Sequence, residues 1–137
     1  MEKLYCTSLS AIVSYIVFLM GGMDIALQCL LIAIVLDYIS GLVRSFICKN
    51  LSSKEGFRGL LKKVLILIVV MLAVIIDHIT LDSGAIRTLV IYYFVANEGL
   101  SIVENMAQAG LPVPKVVKNA LKSLKDLGND KSKTKGK

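Results

Sequence analysis

Four stretches of the chain are dominated by apolar residues: Leu4 to Met23, Ile25 to Val43 broken by Asp37, Val64 to Leu81 broken by Asp77 and His78, and Thr88 to Val103 broken by Glu98. A helix needs about 20 residues to cross a bilayer, within a workable range of about 17 to 25. The first three stretches have that length and the fourth falls just short. The pattern predicts an all-α, polytopic membrane protein with three to four short transmembrane helices. The first stretch follows Lys3 and has a second reading as a signal peptide. Its apolar run is longer than a signal sequence requires, and no A-x-A site precedes Asp24, so it is read as a retained span.

Two segments outside these stretches also carry a helical pattern. Ser52-Ser53-Lys54-Glu55 fits a capping box, in which a serine oxygen takes a free backbone N–H and the glutamate reaches back. A short interfacial helix is expected to follow, with Phe57, Leu60 and Leu61 toward lipid and Lys54, Arg58 and Lys62 toward headgroups. Pro112 and Pro114 end the fourth helix. Beyond them Val116, Val117, Ala120, Leu121, Leu124 and Leu127 recur at helical spacing, with Lys115, Lys118, Lys122 and Lys125 between them, the signature of a basic amphipathic helix. Residues 131–137, KSKTKGK, read as disordered. The chain thus divides into a transmembrane helical domain, 1–110, and a basic amphipathic and disordered cytoplasmic tail, 111–137.

Composition sharpens the membrane reading. Of 137 residues 55% are hydrophobic, yet the net charge is +6, and the mean hydropathy is +0.72. A soluble domain this small has too little interior for so much apolar surface. The charges are also segregated: none lies between Leu4 and Met23, whereas the last 23 residues hold eight lysines. An ordinary soluble enzyme is excluded. Between the second and third stretches stand Arg44, Lys49, Lys54, Arg58, Lys62 and Lys63 against Glu55, which assigns that loop to the cytoplasm. The expected topology is N-in and C-in with four crossings, or three crossings if the first stretch lies on the surface or is removed. Anionic lipid headgroups are the expected partners of Lys54, Arg58, Lys62, Lys63, Lys115, Lys118, Lys122 and Lys125, at about 1 kcal/mol per lysine near the surface.

Charged residues within spans are costly and mark contacts or polar paths. Asp37 has Ala33 and Gly41 one turn either side, with Ser40 and Arg44 nearby, so its face combines small and polar groups. Two roles stay open for it: a buried carboxyl paired with Arg44 or a neighbour, and a group facing water in a pore. Glu98 shares its face with Ser101, Asn105 and Gln108. Asp37 lies 13 residues past Asp24 and Glu98 lies 11 past Arg87. At about 1.5 Å per residue both carboxyls reach the same layer, toward the cytoplasmic third, with Lys62 or Lys63 as counter-charge.

Other chemistry is thin. Cys6, Cys29 and Cys48 have no CxxC and no histidine at ligand spacing, and read as small apolar residues. Asp77, His78 and Asp82 tempt a metal reading, but a solvated membrane boundary explains them better. There is no Walker loop, HExxH or G-x-S-x-G. No catalytic residue, cofactor, metal or nucleic-acid partner is expected.

One resemblance covers roughly residues 30 to 125. Asp37-Tyr38-Ile39-Ser40-Gly41, then Leu51-Ser52-Ser53-Lys54 with Gly56, Gly59 and Lys62-Lys63, then Ala96 to Asn105 before Pro112-Val113-Pro114, are similar to the toxin-secretion/phage-lysis holins. The resemblance implies a homo-oligomer in the bacterial cytoplasmic membrane. It also implies a pore or lesion that releases endolysin in phage lysis, or toxin, without binding the cargo specifically. In that setting Asp37, Gly41, Arg44, Glu98, Ser101 and Asn105 would form the polar layer of the oligomer. Two alternatives remain: a small ion channel or transporter, and a small membrane lipid kinase, to which Asn97-Glu98 and Glu104-Asn105 bear a superficial likeness. A kinase needs further carboxylates for magnesium and basic groups for nucleotide, and the chain gathers no such set.

Overall fold

The structure, a computed structural model, describes residues 1–81 and 83–130. Its helices are α1 (Glu2–Leu19), α2 (Ile25–Ile47), α3 (Ser53–Thr80), α4 (Ala85–Gln108) and α5 (Lys115–Asp130), and no strand occurs among the described residues. Three of them, α2, α3 and α4, are long and apolar enough to cross a membrane, and the chain is an all-helical membrane protein.

Each helix stops where the sequence supplies a turn. Gly21 and Gly22, at φ +85° and +90°, close α1, and the Gly22 N–H bonds back to the Val17 carbonyl. Glycine reaches such angles without the Cβ penalty. Asp24 then caps α2, accepting from the Leu27 N–H at 2.9 Å. Ser52 caps α3, accepting from the Glu55 N–H at a long 3.5 Å. At the end of α4, Gly110 at φ +91° lets the Leu111 N–H reach the Met106 carbonyl, and the two prolines follow.

The separate interfacial helix expected after Ser52 is the beginning of α3, which runs unbroken for 28 residues. No proline intervenes, and Gly56 and Gly59 cost only about 1 kcal/mol each in a helix interior. At about 42 Å α3 exceeds the hydrocarbon thickness of about 30 Å, so its first turns project from the bilayer. The fourth stretch, short by its apolar run alone, becomes the 24-residue α4 because Ala85 to Arg87 before it and Glu104 to Gln108 after it continue the helix. The first stretch forms α1, whose apolar part, Lys3–Leu19, is shorter than the other three.

Helix α4 is central and packs against α2, α3 and α5. Met20, Leu27, Leu30, Ile66, Val70 and Ile91 make the buried core where α2, α3 and α4 meet. The outer faces are apolar and exposed, among them Leu36, Val43, Leu65 and Ile68, as lipid requires. α1 stands off this core with nearly every side chain exposed. Its Thr7, Ser8 and Ser10 hydroxyls donate to carbonyls four residues back, so they remain satisfied in an apolar setting.

Candidate functional site: a buried polar layer

The end of the bundle formed by the later half of α2, the first half of α3 and the later half of α4 holds a cavity of about 550 Å³ lined by Asp37, Gly41, Lys63, Asn97, Glu98, Ser101 and Asn105, among others. Asp37 and Glu98 lie at one depth, and Lys63 from α3 closes the layer. Its ammonium donates to Asp37 Oδ2 at 2.5 Å and also to Glu98 Oε2. Asn105 Nδ2 donates to the other Asp37 oxygen at 3.1 Å and to Ser40 Oγ at 3.0 Å. The Lys63, Asp37 and Glu98 side chains are 13%, 11% and 4% exposed. Every buried side-chain nitrogen and oxygen among the described residues has a partner. This is the condition under which charges persist in a low-dielectric setting, because an ion left alone there costs several kcal/mol.

Of the two lysines named as counter-charges, Lys63 reaches the carboxyls, whereas Lys62 lines the same cavity but is exposed, as are Lys54 and Arg58. Arg44 is not the partner of Asp37: it reaches the end of α4 and donates to Gln108 Oε1 at 3.0 Å. It stands seven residues beyond Asp37, about 10 Å along the helix, which favours the nearer partner. A Cβ on Gly41 would lie 3.6 Å from Asn105 Nδ2, so the helices approach closely there. Ser101 lines the cavity. Lys115, Lys118 and Lys122 are exposed on α5, whereas Lys125 donates to Asn97 Oδ1 at 3.2 Å and sits 5.5 Å from the centre of the Tyr93 ring. The tail helix is therefore no free-standing segment, since it lies along α4. Residues 131–137, read as disordered, lie outside the described residues.

A second polar cluster, not foreseen as such, ties the opposite end together. Asp77 accepts from the backbone N–H groups of Ile86 and Arg87 at 3.0 and 2.8 Å, so it caps α4 from a neighbouring helix. The Arg87 guanidinium donates to Asp24 at 2.6 and 3.2 Å, to the Met20 carbonyl at 2.6 Å and to the Gly22 carbonyl at 3.1 Å. The Arg87 hydrogen bond, helped by the Leu27 N–H, outweighs desolvation and holds the Asp24 carboxyl below the usual aspartate range. An arginine in the first turn opposes the helix dipole. That opposition was the available signal that Arg87 must have carboxylate partners. His78 Nδ1 lies 2.8 Å from the Val74 carbonyl, and Asp82 lies outside the described residues. Among the described residues no three His, Cys, Asp or Glu side chains gather as a metal-holding group.

The arrangement defines a small helical membrane protein whose three spans are joined near one end by a buried ionic layer and at the other by an arginine clamp. The chain belongs to the bacteriophage holin family, whose profile matches residues 14–126. It is 42% identical over 116 residues to an uncharacterised protein of Clostridium perfringens (strain 13 / Type A), an alignment covering 83% of this chain and 85% of that one. An uncharacterised protein of Listeria monocytogenes is 44% identical over 104 residues, 76% of this chain and 74% of its own. A probable holin of Bacillus phage phi105 is 35% identical over 95 residues, 69% of this chain and 70% of its own. No solved structure matches the chain.

Proposed function

We propose that the protein is a lesion-forming holin of the bacterial cytoplasmic membrane. It accumulates as dispersed chains and then self-associates into a homo-oligomer through which endolysin or toxin leaves without being specifically bound. The observation that carries this reading is the Asp37–Lys63–Glu98–Asn105 layer set within otherwise apolar spans. In the dispersed chain the layer is satisfied internally, so the protein can wait in lipid. In the oligomer the same groups, with Gly41 and Ser101 beside them, re-pair between chains, which favours protein contacts over lipid contacts. Lys54 and Arg58 on the projecting part of α3, with Lys62 one turn further on, contact anionic headgroups. The proposed orientation is N-in, with the α2–α3 end and the polar layer toward the cytoplasm.

The test is expression in bacteria beside a cytoplasmic endolysin that cannot cross the membrane alone. Growth should halt abruptly and the endolysin should reach the wall. Asp37→Asn and Glu98→Gln should each shift the time of lysis; unchanged timing and assembly in both would leave the layer without a role. Cells that keep their membrane potential and never release the endolysin would refute the reading.

One observation favours a second reading, a small ion channel. A cavity of about 530 Å³ beside Asp24, Asp77 and Arg87 lies at the opposite end from the 550 Å³ cavity. Between them stand the buried side chains of Leu27, Leu30, Val70 and Ile91, an apolar layer that could act as a gate. Ion flux through reconstituted protein, with no endolysin release from cells, would favour it.

A further inference from the structure

The helix α5 carries three distinct sides. One is seated on α4: Leu121 fits where Gly99 leaves room, since a Cβ there would lie 2.6 Å from the Leu121 side chain, and Gly128 lies against Tyr93 and the Leu89 carbonyl. These pairs run in opposite chain directions, so α5 lies antiparallel to α4. It reaches from the far end of α4 back to within a turn or so of Ala85. A second side holds Val116 and Leu127, 78% and 60% exposed, which lipid tails tolerate. The third holds Lys115, Lys118 and Lys122, all exposed, within an arc of about 60° on a 3.6-residue helix.

If α4 crosses the bilayer, a helix seated along it carries Lys118 and Lys122 to bilayer depth. Lysines there are expensive in lipid and are found facing water-filled cavities. Lys125 is different, because Asn97 and the Tyr93 ring hold it. A seat on α4, a lipid-compatible flank and a lysine flank are the three surfaces that a helix at the edge of an aqueous passage needs. We infer that in the assembled lesion α5 lines the lumen, its seat on α4 retained and its lysine side turned to the water through which cargo passes. This deepens the lesion-forming reading and rests on it.

The inference separates from a headgroup anchor by charge. A lumen wall needs hydrophilic side chains of either sign, whereas an anchor on anionic lipid needs cations. Two double variants of the full chain, Lys118→Glu with Lys122→Glu and Lys118→Leu with Lys122→Leu, are expressed beside the endolysin. The glutamate pair is expected to keep release within about twofold of the parent, and the leucine pair to lose it. The amount in the membrane fraction and the cross-linked oligomers confirm that each variant inserts and assembles. In a third variant Cys6, Cys29 and Cys48 are changed to serine, and Gly99→Cys with Leu121→Cys, oxidised by an added membrane-permeant thiol oxidant, lets a disulfide hold α5 on α4. This stapled protein should still release endolysin. The inference is overturned if the leucine pair releases normally, if the glutamate pair loses release, or if the staple blocks release and a reductant restores it. A parent chain that never releases endolysin refutes the lesion reading itself. A parent that releases, beside any of those three results, refutes the lumen wall alone.

Discussion

At the scale of single residues the most consequential side chain is Lys63. It lies between two carboxylates that α2 and α4 bring to one depth, and its removal leaves both without their cation. Breaking a buried ionic group by deleting one partner costs about 3–5 kcal/mol, while replacing all partners by neutral groups of similar shape costs little or stabilises. Lys63→Met should therefore lower the unfolding midpoint of the detergent-solubilised protein markedly. Adding Asp37→Asn and Glu98→Gln to Lys63→Met should recover most of the loss. Thermal unfolding of the single and triple variants checks both, and a triple variant no better than the single would mean that the layer is not an electrostatic unit. Depth arithmetic was enough to read this layer from sequence, because the rise per residue of a helix is fixed. The choice between Lys62 and Lys63 was not legible: they point about 100° apart, and only the rotation of α3 in its packing selects one. The pairing of Arg44 with Gln108 was equally hidden, because it depends on where two helix ends meet.

Among the elements, the loop joining α1 and α2 is fastened to α4 by a single guanidinium. Arg87 holds the Met20 and Gly22 carbonyls and the Asp24 carboxylate at once, and Asp24 also caps α2. A Cβ on Gly21 would lie 2.7 Å from Arg87 Nε, so the clamp also depends on a glycine in the left-handed region. The Asp24 carboxyl is held below its ordinary range, chiefly by Arg87. Its contribution to stability is therefore complete above the unfolded aspartate value of about 3.9, and it declines as pH falls through the lower folded value. Acidification of the solubilised protein should release this loop, and Asp24→Asn should remove that part of the pH dependence while leaving the response above pH 5 unchanged. Hydrogen exchange at Leu27, whose N–H the Asp24 carboxylate accepts, reads the event; equal acid sensitivity in parent and variant would contradict it. The helical pattern exposed most element boundaries, but not the joining of the interfacial segment to α3. Interior glycines weaken a helix without ending it, and composition alone does not say which will prevail. The seat of α5 was likewise out of reach: an amphipathic period defines the faces of a helix and not the surface that an apolar face will meet.

For the whole molecule, the ends of the bundle differ in charge. The α2–α3 end gathers Arg44, Lys49, Lys54, Arg58 and Lys62, whereas the other end carries Asp24 and Asp77 around Arg87. Positive charge near span ends favours the cytoplasm, the basis of the orientation proposed for α2, α3 and α4, and α1 is the variable part. Its apolar run is shorter than that of the three spans, and it stands away from the core. It nonetheless reaches the Arg87 clamp through Met20 and Gly22. A helix of 18 residues extends about 27 Å, close to the hydrocarbon thickness, so from that anchor it can return across the membrane. Cys6, exposed near its beginning, reports which course it takes. With Cys29 and Cys48 replaced, Cys6 should resist a membrane-impermeant maleimide added to intact cells before lysis, and react once the cells are opened. Reaction in intact cells would mean that α1 lies on the outer surface and that the chain crosses three times. For the proposed homo-oligomer the two outcomes also differ: a crossing α1 adds a fourth lipid-facing helix to every subunit, while a surface α1 leaves the faces of α2 and α3 free for neighbouring chains.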